Sequence, residues 1–99
     1  MIDIFTQPGC GPCQQVKIVF DKSILVEGVD YRYVDITEND LAKSFVVSQG
    51  FKSVPVVLSG DTIIHGYKPY ALAEIINEAI REKDAFDWDG ETEDGRYLH

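Results

Sequence analysis

The sequence is short of sulfur, proline and positive charge. Among 99 residues there are two cysteines, one methionine and four prolines, and nine lysines and arginines face seventeen aspartates and glutamates. Two cysteines cannot form the disulfide framework of a small secreted scaffold. The deficit of bases leaves a formal net charge of −8, which argues against nucleic acid and anionic membrane as partners, since both select basic surfaces. Long apolar runs are missing too. The longest, Ser23–Val26 and Val54–Leu58, fall far below the roughly 20 residues that a membrane span needs. Met1-Ile2-Asp3-Ile4-Phe5 lacks the basic and extended apolar parts of a secretory leader. These absences predict a soluble, cytoplasmic chain with one core. In a reducing compartment a close cysteine pair points to catalysis or metal binding rather than to a permanent staple.

Charge is spread unevenly. Residues 84–99 hold six of the seventeen acids and one of the nine bases. Gly90, Gly95 and the lack of periodicity make this stretch read as a flexible acidic tail, so the expected division is a domain over 1–83 and a tail over 84–99. Phe86 and Trp88 alternate there with Asp84, Asp87 and Asp89. That pattern fits a segment folding back or docking on a partner, and it fits a solubilising end equally well.

What is present is periodic. Residues 2–6 form an Ile/Phe-rich run halted by Gln7-Pro8-Gly9, the pattern of a strand entering a turn. From Gly11 the spacing changes: Val16, Phe20 and Ile24 fall at i, i+4 and i+8, which predicts a helix to about Glu27, ended by Gly28. Pro12 suits its first turn, where a missing N–H is no loss. Tyr31–Ile36 reads as a second strand. Thr37 then reads as the N-cap of a second helix, with Glu38 and Asp40 in its first turn and Gly50 at its end. Val56–Leu58 and Thr62–Ile64 flank Ser59-Gly60-Asp61 as a hairpin. Pro69 opens a last helix whose Leu72, Ile75, Ile76, Ala79 and Ile80 share one face. The order βαβαββα, with a right-handed first crossover, describes an α/β fold: a four-stranded mixed sheet with three helices on its two faces.

Cys10-Gly11-Pro12-Cys13 falls where the first strand turns into the first helix. Free N–H groups and the dipole at a helix start favour a thiolate over a thiol. Cys10 precedes the first turn and is expected to face solvent, whereas Cys13 lies within it and is shielded. Cys10 is therefore the expected nucleophile and Cys13 the resolving thiol, passing through a mixed disulfide with the substrate. A structural disulfide and half of a metal site are the alternatives. A zinc site needs four ligands, and beyond the cysteines only His65 and His99 are of a suitable type, so no metal and no bound cofactor is expected.

Three stretches in this order, Cys10–Cys13, Gln49-Gly50-Phe51-Lys52-Ser53-Val54-Pro55-Val56-Val57 and His65-Gly66-Tyr67-Lys68-Pro69, resemble the thioredoxin superfamily. Within it the chain is most similar to the NrdH-type redoxins, glutaredoxin-like electron donors of ribonucleotide reductase. The resemblance covers about residues 1–82 and implies the thioredoxin-like (glutaredoxin) fold. It implies that Pro55 is a cis-proline beside the cysteines and that Val54 offers its backbone to an extended substrate. It also assigns Pro8, Gly9, Gly11 and Pro12 to the active-site loop, and Gly66, Tyr67 and Lys68 to substrate binding. Glutaredoxins that use glutathione carry a Gly-Gly pair followed by an aspartate; His65-Gly66-Tyr67-Lys68 has neither. The implied donor is thus thioredoxin reductase, with electrons ultimately from NADPH, rather than glutathione. No second copy of the chain is expected to be needed.

The sequence departs from the family in places. Gly11-Pro12 is the thioredoxin pair, which implies a reducing protein: thioredoxin lies at roughly −270 mV, ~40–70 mV below glutaredoxins, or roughly 2–3 kcal/mol. The buried aspartate of thioredoxins has no match, since Ile4 takes its place and Asp3 is one step out of phase. The first helix reads as one turn longer than in NrdH-type proteins. His65 is weighed both as a group tuning Cys10 and as a solvated turn residue. Three functions follow: a reductant of protein disulfides serving ribonucleotide reductase, a glutathione-dependent glutaredoxin, and an accessory binding module of a larger enzyme.

Overall fold

A computed structural model describes the backbone of residues 1–91 and the side chains of residues 1–83. Its elements run β1 (Ile2–Thr6), α1 (Gly11–Asp21), β2 (Tyr31–Asp35), α2 (Asp40–Ser48), β3 (Val56–Ser59), β4 (Thr62–His65) and α3 (Pro69–Glu91). The sheet order is β2-β1-β3-β4. β1 and β2 are parallel, with Ile2 opposite Tyr31, while β3 is antiparallel to both β1 and β4. This is the expected mixed sheet in a thioredoxin-like fold. No described helix is long and apolar enough to cross a membrane.

Strand alternation divides the core in two, because successive side chains point to opposite faces. Ile2 and Ile4 of β1, Val57 of β3 and Ile64 of β4 pack with Val16 and Phe20 of α1 and Leu72, Ile75 and Ile76 of α3. On the other face Phe5 and Val56 meet Ala42 and Val46 of α2, and Cys13 joins this second cluster. Phe20, Ile4, Leu72 and Val16 are fully buried; burying such side chains contributes roughly 1.5–3 kcal/mol each.

Several boundaries differ from expectation; β3 and β4 each run one residue further, to Ser59 and His65. α1 stops at Asp21, not near Glu27. The Ser23 hydroxyl donates to the Phe20 carbonyl at 2.7 Å and accepts from Leu25 N–H at 3.1 Å, offering the backbone a turn in place of another helical rung. Ile24 is consequently 69% exposed and Leu25 fills the core at 5%. Gly28, expected to end α1, instead adopts φ +88° in the following turn. At α2 the N-cap is Asn39, whose side-chain oxygen accepts from Ala42 N–H at 3.0 Å. Thr37, the expected cap, donates its hydroxyl to Asp35 instead. β2 ends at Asp35, one residue early. Finally, α3 continues to Glu91, so the helical backbone passes the expected boundary at residue 84. The remainder of the tail, and the side chains of Phe86 and Trp88, lie outside the described residues.

Candidate active site

The site is assembled at the end of the sheet where β1 finishes and β3 begins. Gln7 and Pro8 are exposed, and Gly9 takes φ +77°, a conformation open to glycine at no steric cost. This turn delivers Cys10 to the N-cap position of α1 in extended geometry, with Gly11 and Pro12 exposed as the first helical residues. The Cys13 N–H then donates to Cys10 Sγ at 3.1 Å. Sulfur thus occupies the place that a serine or aspartate oxygen takes in an ordinary N-cap, accepting one of the helix's unpaired donors. The two cysteines are joined in a disulfide, with Cα atoms 5.2 Å apart.

Burial separates the pair. Cys10 is half-buried, whereas Cys13 is 4% exposed and sits among Phe5, Ala42, Val46, Val54 and Val56. Among the described residues no polar or charged residue is buried. Ile4 does occupy the interior position at 0% exposure, and Asp3 turns to the other face to pair with Arg32 at 2.6 Å.

The second wall is the segment leading into β3. Val54–Pro55 is a cis peptide bond, as the resemblance implies, and the Val54 carbonyl oxygen lies 3.6 Å from Cys10 Sγ. The loop after β4 is joined to this segment. Gly66, at φ +87°, donates its N–H to the Pro55 carbonyl at 2.8 Å, which ties this loop to the proline. Tyr67 is 39% exposed, and the exposed Lys68 ammonium donates to the His65 carbonyl. His65 has partners other than the sulfurs: its ring stacks on Phe51 with centroids 4.6 Å apart, and Nε2 lies 3.0 Å from Ser53 Oγ. The sequence reading missed both contacts. Strand alternation on β4 places residue 65 beside the start of β3, but no local pattern links it to residues 51 and 53.

The glutaredoxin family model matches residues 2–64. The chain belongs to the glutaredoxin family. Over 79 residues this glutaredoxin is 39% identical to the gene 56 protein of Mycobacterium phage D29, covering 77% of this chain and 82% of that relative. It is 28% identical over 68 residues to the glutaredoxin-like protein NrdH of Escherichia coli strain K12, covering 69% and 79%. The solved NrdH-redoxin of Escherichia coli, described as a glutaredoxin-like protein with a thioredoxin-like activity profile, superposes with a TM-score of 0.65. Its sequence identity is 26%, and the match covers 74% of this chain and 91% of that one. The redoxin is therefore a thiol–disulfide oxidoreductase of the glutaredoxin and NrdH type, with its cysteines at bonding distance.

Proposed function

We propose that this redoxin reduces protein disulfides in the cytoplasm, serves ribonucleotide reductase and hence deoxyribonucleotide synthesis, and is recharged by a thioredoxin reductase that draws on NADPH. The observation that carries the reading is the sulfur of Cys10 held by the Cys13 N–H at 3.1 Å at the start of α1. In the reduced protein the same donor stabilises a thiolate, and the helix dipole acts in the same direction.

Cys10 thiolate attacks one sulfur of the substrate disulfide, forming a mixed disulfide and releasing the other substrate sulfur as a thiolate that takes a proton from water. Cys13 gives its proton to water and, as a thiolate, attacks Cys10 Sγ. The Cys10–Cys13 disulfide forms, the second substrate thiolate leaves, and two electrons have passed to the substrate. Val54, beside the cis-proline Pro55, pairs with the extended substrate, while Gly66, Tyr67 and Lys68 border it on the β4 side. Pro8, Gly9, Gly11 and Pro12 shape the loop that presents the sulfur. Support for the donor comes from the NrdH relatives and from Tyr67-Lys68, where glutathione users carry an acid.

An insulin-reduction assay with two recharging systems tests the reading. Turnover is expected with thioredoxin reductase and NADPH, and little with glutathione and glutathione reductase; the reverse pattern overturns the choice of donor. Cys13→Ser is expected to accumulate a mixed disulfide with a peptide of the reductase tail, visible as an added mass that dithiothreitol removes.

A further inference from the structure

The segment carrying Val54 is tied down at its two ends. Phe51 N–H donates to the Val46 carbonyl at 3.2 Å, and the Pro55 carbonyl accepts from Gly66 at 2.8 Å. Between these points Lys52 and Ser53 are exposed. One side chain crosses to this stretch from the neighbouring strand. The His65 ring lies flat on Phe51, with an interplanar angle of 11°, and its Nε2 meets Ser53 Oγ at 3.0 Å. The anchor itself is firm. His65 is the last residue of β4, paired in the sheet with Val56, and its carbonyl holds the Lys68 ammonium.

We infer that His65 is a positioning residue that fixes segment 51–54, so that Val54 stands beside Cys10 before substrate arrives. The inference rests on the reading that Val54 pairs with substrate. Ordering flexible backbone costs free energy, and a segment ordered in advance spares the substrate that cost. The chemical step at sulfur depends on the helix start and not on His65, so His65 acts on binding and leaves the reaction rate alone. The two contacts converge on one loop from one ring, which predicts that they are coupled rather than independent.

The test compares the full chain with His65→Ala, His65→Gln, Ser53→Ala and the His65→Ala/Ser53→Ala pair, using insulin as the disulfide and saturating reductase. His65→Ala is expected to raise KM about three- to tenfold while kcat and the alkylation rate of reduced Cys10 by iodoacetamide stay at the parent values. His65→Gln keeps an amide able to reach Ser53 and recovers part of the loss. Ser53→Ala shifts KM in the same direction, and the double variant is no worse than His65→Ala alone. Backbone relaxation by NMR reads the loop directly, with order parameters at Lys52–Val54 falling toward ~0.6 in His65→Ala. An unchanged KM, a fall in kcat at constant KM, additive losses, or a loop as rigid as in the parent overturns the proposal. Should His65→Ala fail to fold, the exposed Ser53→Ala carries the same comparison. A parent protein that reduces no disulfide sinks the functional reading instead, and the order parameters still decide whether His65 holds the loop.

Discussion

At the end of the sheet where β1 and β2 begin, polar side chains are tied to one another. Asp21 accepts from the hydroxyls of Tyr31 and Tyr33 at 2.9 and 2.7 Å and from Lys17 at 3.0 Å. Asp30 takes Lys83 and the Val26 N–H, each at 2.7 Å. Burial, helped by the neighbouring Asp21, pushes the Tyr31 hydroxyl up to about 12, so it remains a neutral donor at any ordinary pH. At the opposite end the Cys10 sulfur faces backbone: the Cys13 N–H at 3.1 Å and the nearby Val54 carbonyl at 3.6 Å. Side-chain clusters fix a geometry by satisfying each other and leave little for a ligand. The N–H donor and the helix dipole stabilise charge on sulfur without a titrating partner and leave its outer side open to a second sulfur.

The contrast predicts that substitutions at the two ends have separable effects. The largest is Cys10→Ser, expected to lower insulin reduction by at least about a thousandfold, since a serine hydroxyl is a far weaker nucleophile toward disulfides. Serine is a good N-cap, so the helix persists and circular dichroism under reducing conditions is expected to match the parent. At the other end Phe20→Ala, at a fully buried position, is expected to cost about 3–5 kcal/mol in urea unfolding. The folded fraction should keep the parent alkylation rate at Cys10. A change in that rate breaks the separation.

A smaller effect is expected at α2, which backs the site. Asn39→Ala removes the side-chain acceptor for Ala42 N–H and should cost about 1 kcal/mol with KM for insulin unchanged. The smallest concerns acid. The Tyr33 hydroxyl first, then Lys17 and Tyr31, holds the Asp21 carboxyl below its ordinary value. Lys83 first, then the Val26 N–H, does the same for Asp30. Lowered folded values mean that this stabilisation is complete above the ordinary aspartate value of about 3.9. It disappears as pH falls through the folded values. Urea midpoints measured from pH 6 to pH 2 should therefore fall more steeply for the parent than for Asp21→Asn. The difference should be modest, because the Asp21 side chain is 38% exposed and solvent screens it. Parallel curves would mean that this cluster contributes nothing.

Much of the fold was legible where punctuation and periodicity agreed. β1 ends at Thr6 and α3 opens at Pro69, because Gln7-Pro8-Gly9 cannot continue a strand and proline is pre-set for a helix start. The hairpin followed from Gly60, which takes φ +59° between two short apolar runs. The misjudged boundaries share a cause: two local signals competed. Ile24 continued the apolar spacing of α1 while Ser23 offered a turn, and burial of Leu25 decided for the turn. Thr37 and Asn39 are both fair caps, and Asp35 removed Thr37 from the competition by accepting its hydroxyl.

Sequence by itself determined the cysteine pair and its setting. Two cysteines three apart, between a strand and a proline-started helix, put sulfur on free helix N–H groups. Tertiary structure decided what surrounds that sulfur. The apolar bed beneath Cys13, the Val54 carbonyl beside Cys10 and the His65 ring on Phe51 join residues from separate strands, helices and loops. Such contacts depend on sheet order and register, which no single segment encodes, because each strand's neighbours are chosen by the packing of the whole core.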